Sequence, residues 1–286
     1  FFFWIKSIFY IQSLFLAYIH IRTRTRTNIS STSTSTSTAR VIRSGFLPYR
    51  ESQMARGLLW CHAAISVKNG TEQEETEVLF STTHLESYIR GNDGSKERAM
   101  QIREASTFLC HMMEKNTSHN KNNGTSGNRG IQLALMTGDL NWDDERKRSS
   151  GTDEKLMEVI HGDGKLNAAV RVGSTRKGTS STPWLDAWLT TRNGEEGYTY
   201  DSKENPMLKG NLRRRFDRCL SYCPSGILYP HSTHLIGKEA IKGFQFRKEV
   251  QQWRNGKPSG ATSFDTRPLC PSDHFGLLVV YGEPSF

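Results

Sequence analysis

An apolar run at residues 131–136 opens into Gly138-Asp139-Leu140-Asn141, a glycine turn presenting one carboxylate and one carboxamide. Far downstream, Ser272-Asp273-His274 offers a second carboxylate and an imidazole just before another apolar run, residues 275–281. A third group, His84, follows the apolar centre of residues 77–83 in Thr83-His84-Leu85-Glu86-Ser87. A positioned carboxylate orients water and takes its proton, and an imidazole donates to an oxygen on which charge builds. These residue types suit a hydrolytic reaction. Asp139 and Asn141 alone are common turn residues. What sets them apart is the company of two histidine motifs, each beside an apolar run.

Such groups need a rigid scaffold to hold them. Residues 56–67 and 77–83 read as strands joined by an acidic, polar turn at 70–76. Ser95 is placed as an N-cap, and Ile102, Ala105, Leu109 and Met112 follow at spacings of three and four, a helix expected to end near Lys115. Residues 117–130, rich in Asn, Ser and Gly, read as a loop, and 131–136 as the strand that carries the glycine turn. A modest helical pattern covers 154–160, with a Gly/Ser/Thr/Lys-rich stretch at 171–182. Trp184, Asp186 and Trp188 lie in another apolar piece, 213–220 reads as a strand entered through Arg213-Arg214-Arg215, 224–268 as a long polar excursion, and 275–281 as the closing strand. Interleaved strands and helices give an α/β (or α+β) class around a central core.

The net charge of +9 and pI near 9.4 favour a polyanionic partner, nucleic acid above all. The five cysteines form no Cys-x-x-Cys pair, so neither a disulfide framework nor a zinc site is suggested and a reducing compartment fits. Residues 1–21 are apolar and aromatic but broken by Lys6, Gln12 and His20, a marginal membrane span without the marks of a signal peptide. The Arg-Thr and Ser-Thr dipeptide repeats at 22–27 and 30–38 resemble a translated microsatellite and cannot bury a core. Residues 1–45 are therefore expected to be a disordered or non-native leader, and 46–286 a catalytic domain incomplete at its N-terminus.

The strings Thr83-His84-Leu85-Glu86-Ser87, Gly138-Asp139-Leu140-Asn141, Leu185-Asp186-Ala187-Trp188, Tyr198-Thr199-Tyr200-Asp201, Arg215-Phe216-Asp217-Arg218 and Ser272-Asp273-His274-Phe275-Gly276 occur in this order. Together they resemble the endonuclease/exonuclease/phosphatase superfamily and, within it, the 5′-tyrosyl-DNA phosphodiesterases, over roughly residues 46–284. The resemblance implies a four-layer α/β/β/α sandwich like deoxyribonuclease I. It also implies Mg2+-dependent (alternatively Mn2+-dependent) hydrolysis of the bond joining a protein tyrosine to a DNA 5′-phosphate, in repair of topoisomerase adducts. DNA with a 5′-tyrosyl or peptide adduct would be the partner of a monomeric, nuclear protein (the cytoplasm a second compartment), with no membrane expected for the domain.

Carried onto these positions, Asp139 orients and deprotonates water, Asn141 hydrogen-bonds water or phosphate, and His274 and His84 donate to phosphate oxygens. Asp217 holds His274 in the useful tautomer, or else forms a strand-end salt bridge with Arg215. Asp273 contributes to the metal side. Arg215 and Arg218 neutralise DNA phosphate and Trp188 packs on substrate, against the plainer readings of a solvated charge run and a core ring. The family's first-strand Asn and its main metal-ligand Glu have no counterpart here, and Asp143 and Asp144 stand where the animal enzymes carry a basic residue. The alternatives are another phosphodiesterase of the superfamily (abasic-site endonuclease or sphingomyelinase-like) and a catalytically dead DNA-binding relative.

Overall fold

An apolar run without polar alternation can bury both its faces, and residues 131–136 do so inside a six-stranded sheet. The computed structural model describes residues 2–8, 16–22, 36–69, 72–88, 93–121, 130–145, 147–148, 151–152, 154–161, 184–254 and 257–282. In chain order the elements begin with strands β1 (Phe2–Ile8), β2 (Leu16–Arg22), β3 (Thr36–Pro48), β4 (Gly57–Asn69) and β5 (Glu72–Thr83). Helix α1 (Ser95–Lys121), β6 (Ile131–Asp139), β7 (Lys147–Arg148), β8 (Gly151–Thr152) and helix α2 (Leu156–His161) follow. Next come β9 (Leu185–Asp186), helix α3 (Ala187–Thr191), β10 (Tyr200–Asp201), β11 (Arg213–Arg214) and β12 (Asp217–Tyr222). The chain closes with β13 (Tyr229–Ile236), β14 (Gln245–Arg254), β15 (Lys257–Pro268) and β16 (Gly276–Gly282).

One sheet runs β3-β4-β5-β6-β12-β9 and a second runs β13-β16-β1-β2. On one face of the first sheet, α1 lays down Ala99, Ile102, Ala105, Leu109 and Met113, which cluster with Leu58, Leu79, Ala134, Met136 and Leu220 and with Leu156 and Val159 of α2. Each fully buried Leu, Ile or Met there stabilises the fold by about 1.5–3 kcal/mol. On the other face Ile65, Val78, Leu133, Leu135 and Cys219 meet Leu277, Val279 and Tyr281 of the second sheet. The class is α/β.

Several boundaries differ from the sequence reading. Strands β1, β2 and β3 stand where a disordered leader was expected. Phe, Ile, Tyr and Thr all favour extended backbone, and β1 covers the flank of β16 that β13 leaves unpaired. The polar excursion 224–268 contains β13 and the hairpin β14–β15. Helix α1 runs to Lys121 rather than Lys115; its polar last turns hold no Gly or Pro, the first break being Gly124. Met113, four residues beyond Leu109, is the buried methionine, and Met112 is only partly covered. Gly94 O accepts from Arg98 N at 2.9 Å, so Ser95 lies inside the first turn of α1, and the Asp93 carboxylate ahead of it accepts from Ser95 N at 2.9 Å and from its hydroxyl at 2.6 Å. Residues 122–129 and 171–182, read as loop and Gly/Ser/Thr/Lys-rich stretch, lie outside the described residues. Among the described residues no helix is long and apolar enough to cross a membrane.

Candidate active site

Parallel pairing of β5 with β6 sets Thr82 beside Thr137, so His84 and Asp139 leave the sheet at the same end. Antiparallel β12 begins there too, with Asp217 directly opposite Asp139. The turn before β16 brings His274 to the same place from the second sheet. Three of the four groups therefore sit on strand ends of one sheet, and the fourth approaches from the sheet packed against it.

Asp139 is 8% exposed. Its Oδ1 accepts from Asn141 N at 2.8 Å, and Oδ2 lies 3.4 Å from His84 Nε2. Burial, then the charge of Asp217, raises its pKa to about 7, against the pull of His274, Asn141 N–H and Arg56. His274 Nδ1 is 2.8 Å from Asp217 Oδ2. Burial alone would lower the imidazole, but the hydrogen bond and charge of Asp217, with Asp139 and Asp273 behind it, raise it to about 9. His84 goes the other way, to about 4, because burial and the Arg56 charge both disfavour its cation. At neutral pH the site thus holds a half-ionised carboxylic acid, an imidazolium locked to Asp217, and a neutral imidazole. Proton uptake and charge stabilisation sit on different residues.

The framework around these groups is built of backbone contacts. Leu85 N donates to Asp139 O at 3.0 Å, and Asn141 Nδ2 donates to Leu85 O and Ser87 Oγ at 3.1 and 3.2 Å. Asn141 thereby ties the His84 loop to the β6 turn. Its two amide hydrogens are committed to that loop, which leaves its Oδ1 as the atom that can accept from water. Thr199 staples the other side: its hydroxyl accepts from Asp217 N at 3.0 Å and its carbonyl from Phe275 N at 2.7 Å. Asn205 Nδ2 donates to the carbonyls of Ser272 and Asp273 at 2.8 and 3.1 Å, and Tyr200 stands edge-on to the His274 ring at 5.2 Å.

Gly138 occupies φ +129°, and a Cβ there would lie 1.9 Å from Thr83 O. Gly138→Ala is expected to push β6 off β5, destabilise the fold by about 3 kcal/mol, and cut turnover by separating His84 from Asp139. Thermal unfolding checks it; an unchanged melting temperature would show that the strands yield freely.

Three further expectations, those for Arg215, Arg218 and Trp188, are corrected. Arg215 donates to both oxygens of Asp186 at 3.0 and 2.8 Å, and Arg218 reaches Asp186 at 3.2 Å and Asp144 at 2.9 Å. Their side chains are 8% and 2% exposed, so these guanidinium groups face carboxylates inside the protein instead of DNA phosphate. Trp188 is buried in α3, its Nε1 donating to Glu195 O at 2.9 Å, and it packs in the core rather than on a substrate. Asp143 pairs with Arg214 at 2.6 Å, so both acidic residues after Asn141 anchor arginines. Asp273 is exposed and takes the Ser272 hydroxyl at 3.2 Å. Among the described residues no three His, Cys, Asp or Glu side chains converge as metal ligands. Magnesium needs only one or two carboxylates besides its waters, a smaller set than three, and no step is routed through a metal.

Sequence reasoning passed over Arg56 and Asn205. The charge of Arg56 reaches both His84 and Asp139, yet in the sequence it is only the first residue of an expected strand. Asn205 precedes Pro206 and signals only a turn.

Two packed sheets with an acid–imidazole constellation at one end define an α/β sandwich. No family model matches the chain, and no curated protein matches it. Solved structures do. The chain is similar to truncated TDP2 of Caenorhabditis elegans, at 17% identity and TM-score 0.46, covering 85% of this chain and 66% of that one. It is similar to TDP2 of D. rerio complexed with single strand DNA product, at 18% identity and TM-score 0.46, covering 85% and 68%. A third is an endonuclease/exonuclease/phosphatase family protein from Bacteroides thetaiotaomicron, at 14% identity and TM-score 0.43, covering 86% and 66%. The chain spans about two thirds of the length of these proteins.

Proposed function

We propose that this chain is a phosphodiesterase acting on the bond between a tyrosine and a DNA 5′-phosphate, in a monomeric nuclear repair protein. The observation that supports it is the meeting of Asp139, His84, Asp217 and His274 at one end of the two sheets. Asp139, with a pKa of about 7, takes the proton of the attacking water. His274, cationic up to about pH 9 and held by Asp217, donates to a non-bridging phosphate oxygen as charge builds. His84, neutral, steadies the Asp139 carboxylate. A tyrosine phenolate, with a pKa of about 10, leaves with little protonation, which suits a site holding a single cationic imidazole.

The test is to offer 5′-phosphotyrosyl DNA, abasic duplex and sphingomyelin side by side, with Mg2+ or Mn2+ present. Turnover should favour the first, and faster cleavage of either other substrate would overturn the choice. The pH profile should be a bell. Turnover rises through about pH 7 as Asp139 ionises and falls through about pH 9 as His274 loses its proton. A rate flat across that range would remove both assignments.

A second reading is a DNA-binding relative without turnover. It is favoured by one observation, that no metal-ligand set is found among the described residues. Under it the chain binds DNA with strong salt dependence and cleaves none of the three substrates at any magnesium concentration.

A further inference from the structure

The hairpin β14–β15 pairs with no other sheet, and an isolated two-stranded hairpin is marginal in water. This one is pinned: Lys248 Nζ donates to Pro206 O at 2.9 Å and also to Leu208 O. In the register of the two strands Gln245 faces Pro268, Arg247 faces Thr266 and Glu249 faces Phe264, so all six share one face. All six are exposed. On that face the guanidinium of Arg247 lies 4.9 Å from the centre of the Phe264 ring, which is 56% exposed; Phe244, just before β14, is 60% exposed.

We propose that this hairpin is a docking arm for single-stranded nucleic acid. A large ring held open to water under a guanidinium is a surface on which a base stacks, while the cation can meet a phosphate. Residues 238–268 carry seven Lys or Arg (238, 242, 247, 248, 254, 257, 267) against three Asp or Glu (239, 249, 265), a net charge that complements a polyanion. The arm is rooted beside the candidate site. Ile241 N donates to Leu269 O at 2.8 Å and Leu269 N to Phe244 O at 3.2 Å. From Leu269 the chain runs straight through Ser272 and Asp273, both fixed by Asn205, to His274. A strand lying on the arm would have its end led to Asp139 and His274; that last step rests on the phosphodiesterase reading, while the binding itself does not.

The experiment uses the full chain and a labelled oligothymidylate, with affinity read by fluorescence anisotropy at low and moderate salt. The double variant Arg247→Ala, Phe264→Ala should bind about 10-fold more weakly, and Glu249→Lys more tightly. Both replace exposed side chains, and both should leave turnover of bis(p-nitrophenyl) phosphate unchanged. Unchanged oligothymidylate affinity in both variants, or no binding by the parent chain, overturns the proposal. An equal loss on blunt duplex DNA overturns its single-strand character. Binding through the arm without hydrolysis of any diester sustains the arm and defeats the phosphodiesterase reading.

Discussion

Asp139→Asn is expected to lower phosphodiester turnover by about 10² or more and, at pH 8, to raise the melting temperature. Asparagine is nearly isosteric and keeps an oxygen for Asn141 N–H, but it cannot accept a proton from water. The stability gain follows from linkage. The Asp139 pKa lies near 7 in the fold against 3.8 for the free side chain. Between those values the folded state holds a proton that the unfolded chain has released, so stability falls as pH rises from about 4 to 7. Above pH 7 the penalty is fully present. At ~1.4 kcal/mol per pKa unit it would reach about 4 kcal/mol for an isolated group. The gain from Asn is smaller, about 1–2 kcal/mol, because Asp139 also supports the His274 cation and that support is lost with it. The gain should shrink at pH 5, where the folded-state carboxyl is already neutral. Turnover within tenfold of the parent would show that Asp139 is not the base, and equal melting temperatures at both pH values that its carboxyl is not strained.

The gathering of charged groups at strand ends was legible because the signals are local. Each of His84, Asp139 and His274 adjoins an apolar run, and the runs are β5, β6 and β16. Where the sequence misled, the deciding partner was distant in the chain. Arg215 and Arg218 read as solvated or phosphate-facing because nothing nearby says that Asp186 and Asp144 fold onto them. The part Asn141 plays in tying two loops together was not readable locally, because the loop that takes its amide hydrogens lies 54–56 residues earlier. The hairpin β14–β15 was hidden by its composition: Lys, Glu, Pro, Gly and Asp do not spell a strand, and cross-strand pairing with Lys248 beneath supplies what propensity lacks. Period and apolar content report burial, whereas charge pairing between remote segments has no period to read.

That buried pairing carries the other large expected effect, in Asp186→Ala. Asp186 is 3% exposed, and burial alone would raise its pKa, yet the Arg215 and Arg218 charges hold it below the ordinary carboxylate value. It also caps α3, accepting from Trp188 N at 3.0 Å and Leu189 N at 3.3 Å. Removing it strands two buried cations, with only Asp144 near them, and leaves the helix uncapped. Breaking a buried pair costs about 3–5 kcal/mol and a lost cap about 1 kcal/mol. At about 2–4 °C per kcal/mol for a domain of this size, the melting temperature should fall by roughly 10 °C or more. Because the Asp186 pKa is depressed, this stabilisation is present above the unfolded carboxylate range and is lost as pH falls below it, so the gap between parent and variant should close in acid. Arg218→Met separates the two roles open to the arginine. As a member of the buried network its loss destabilises the fold at every salt concentration, leaving DNA affinity per folded molecule unchanged. As a phosphate contact it would leave the melting temperature alone and weaken DNA binding with a reduced salt slope, and that outcome would return Arg218 to the substrate surface.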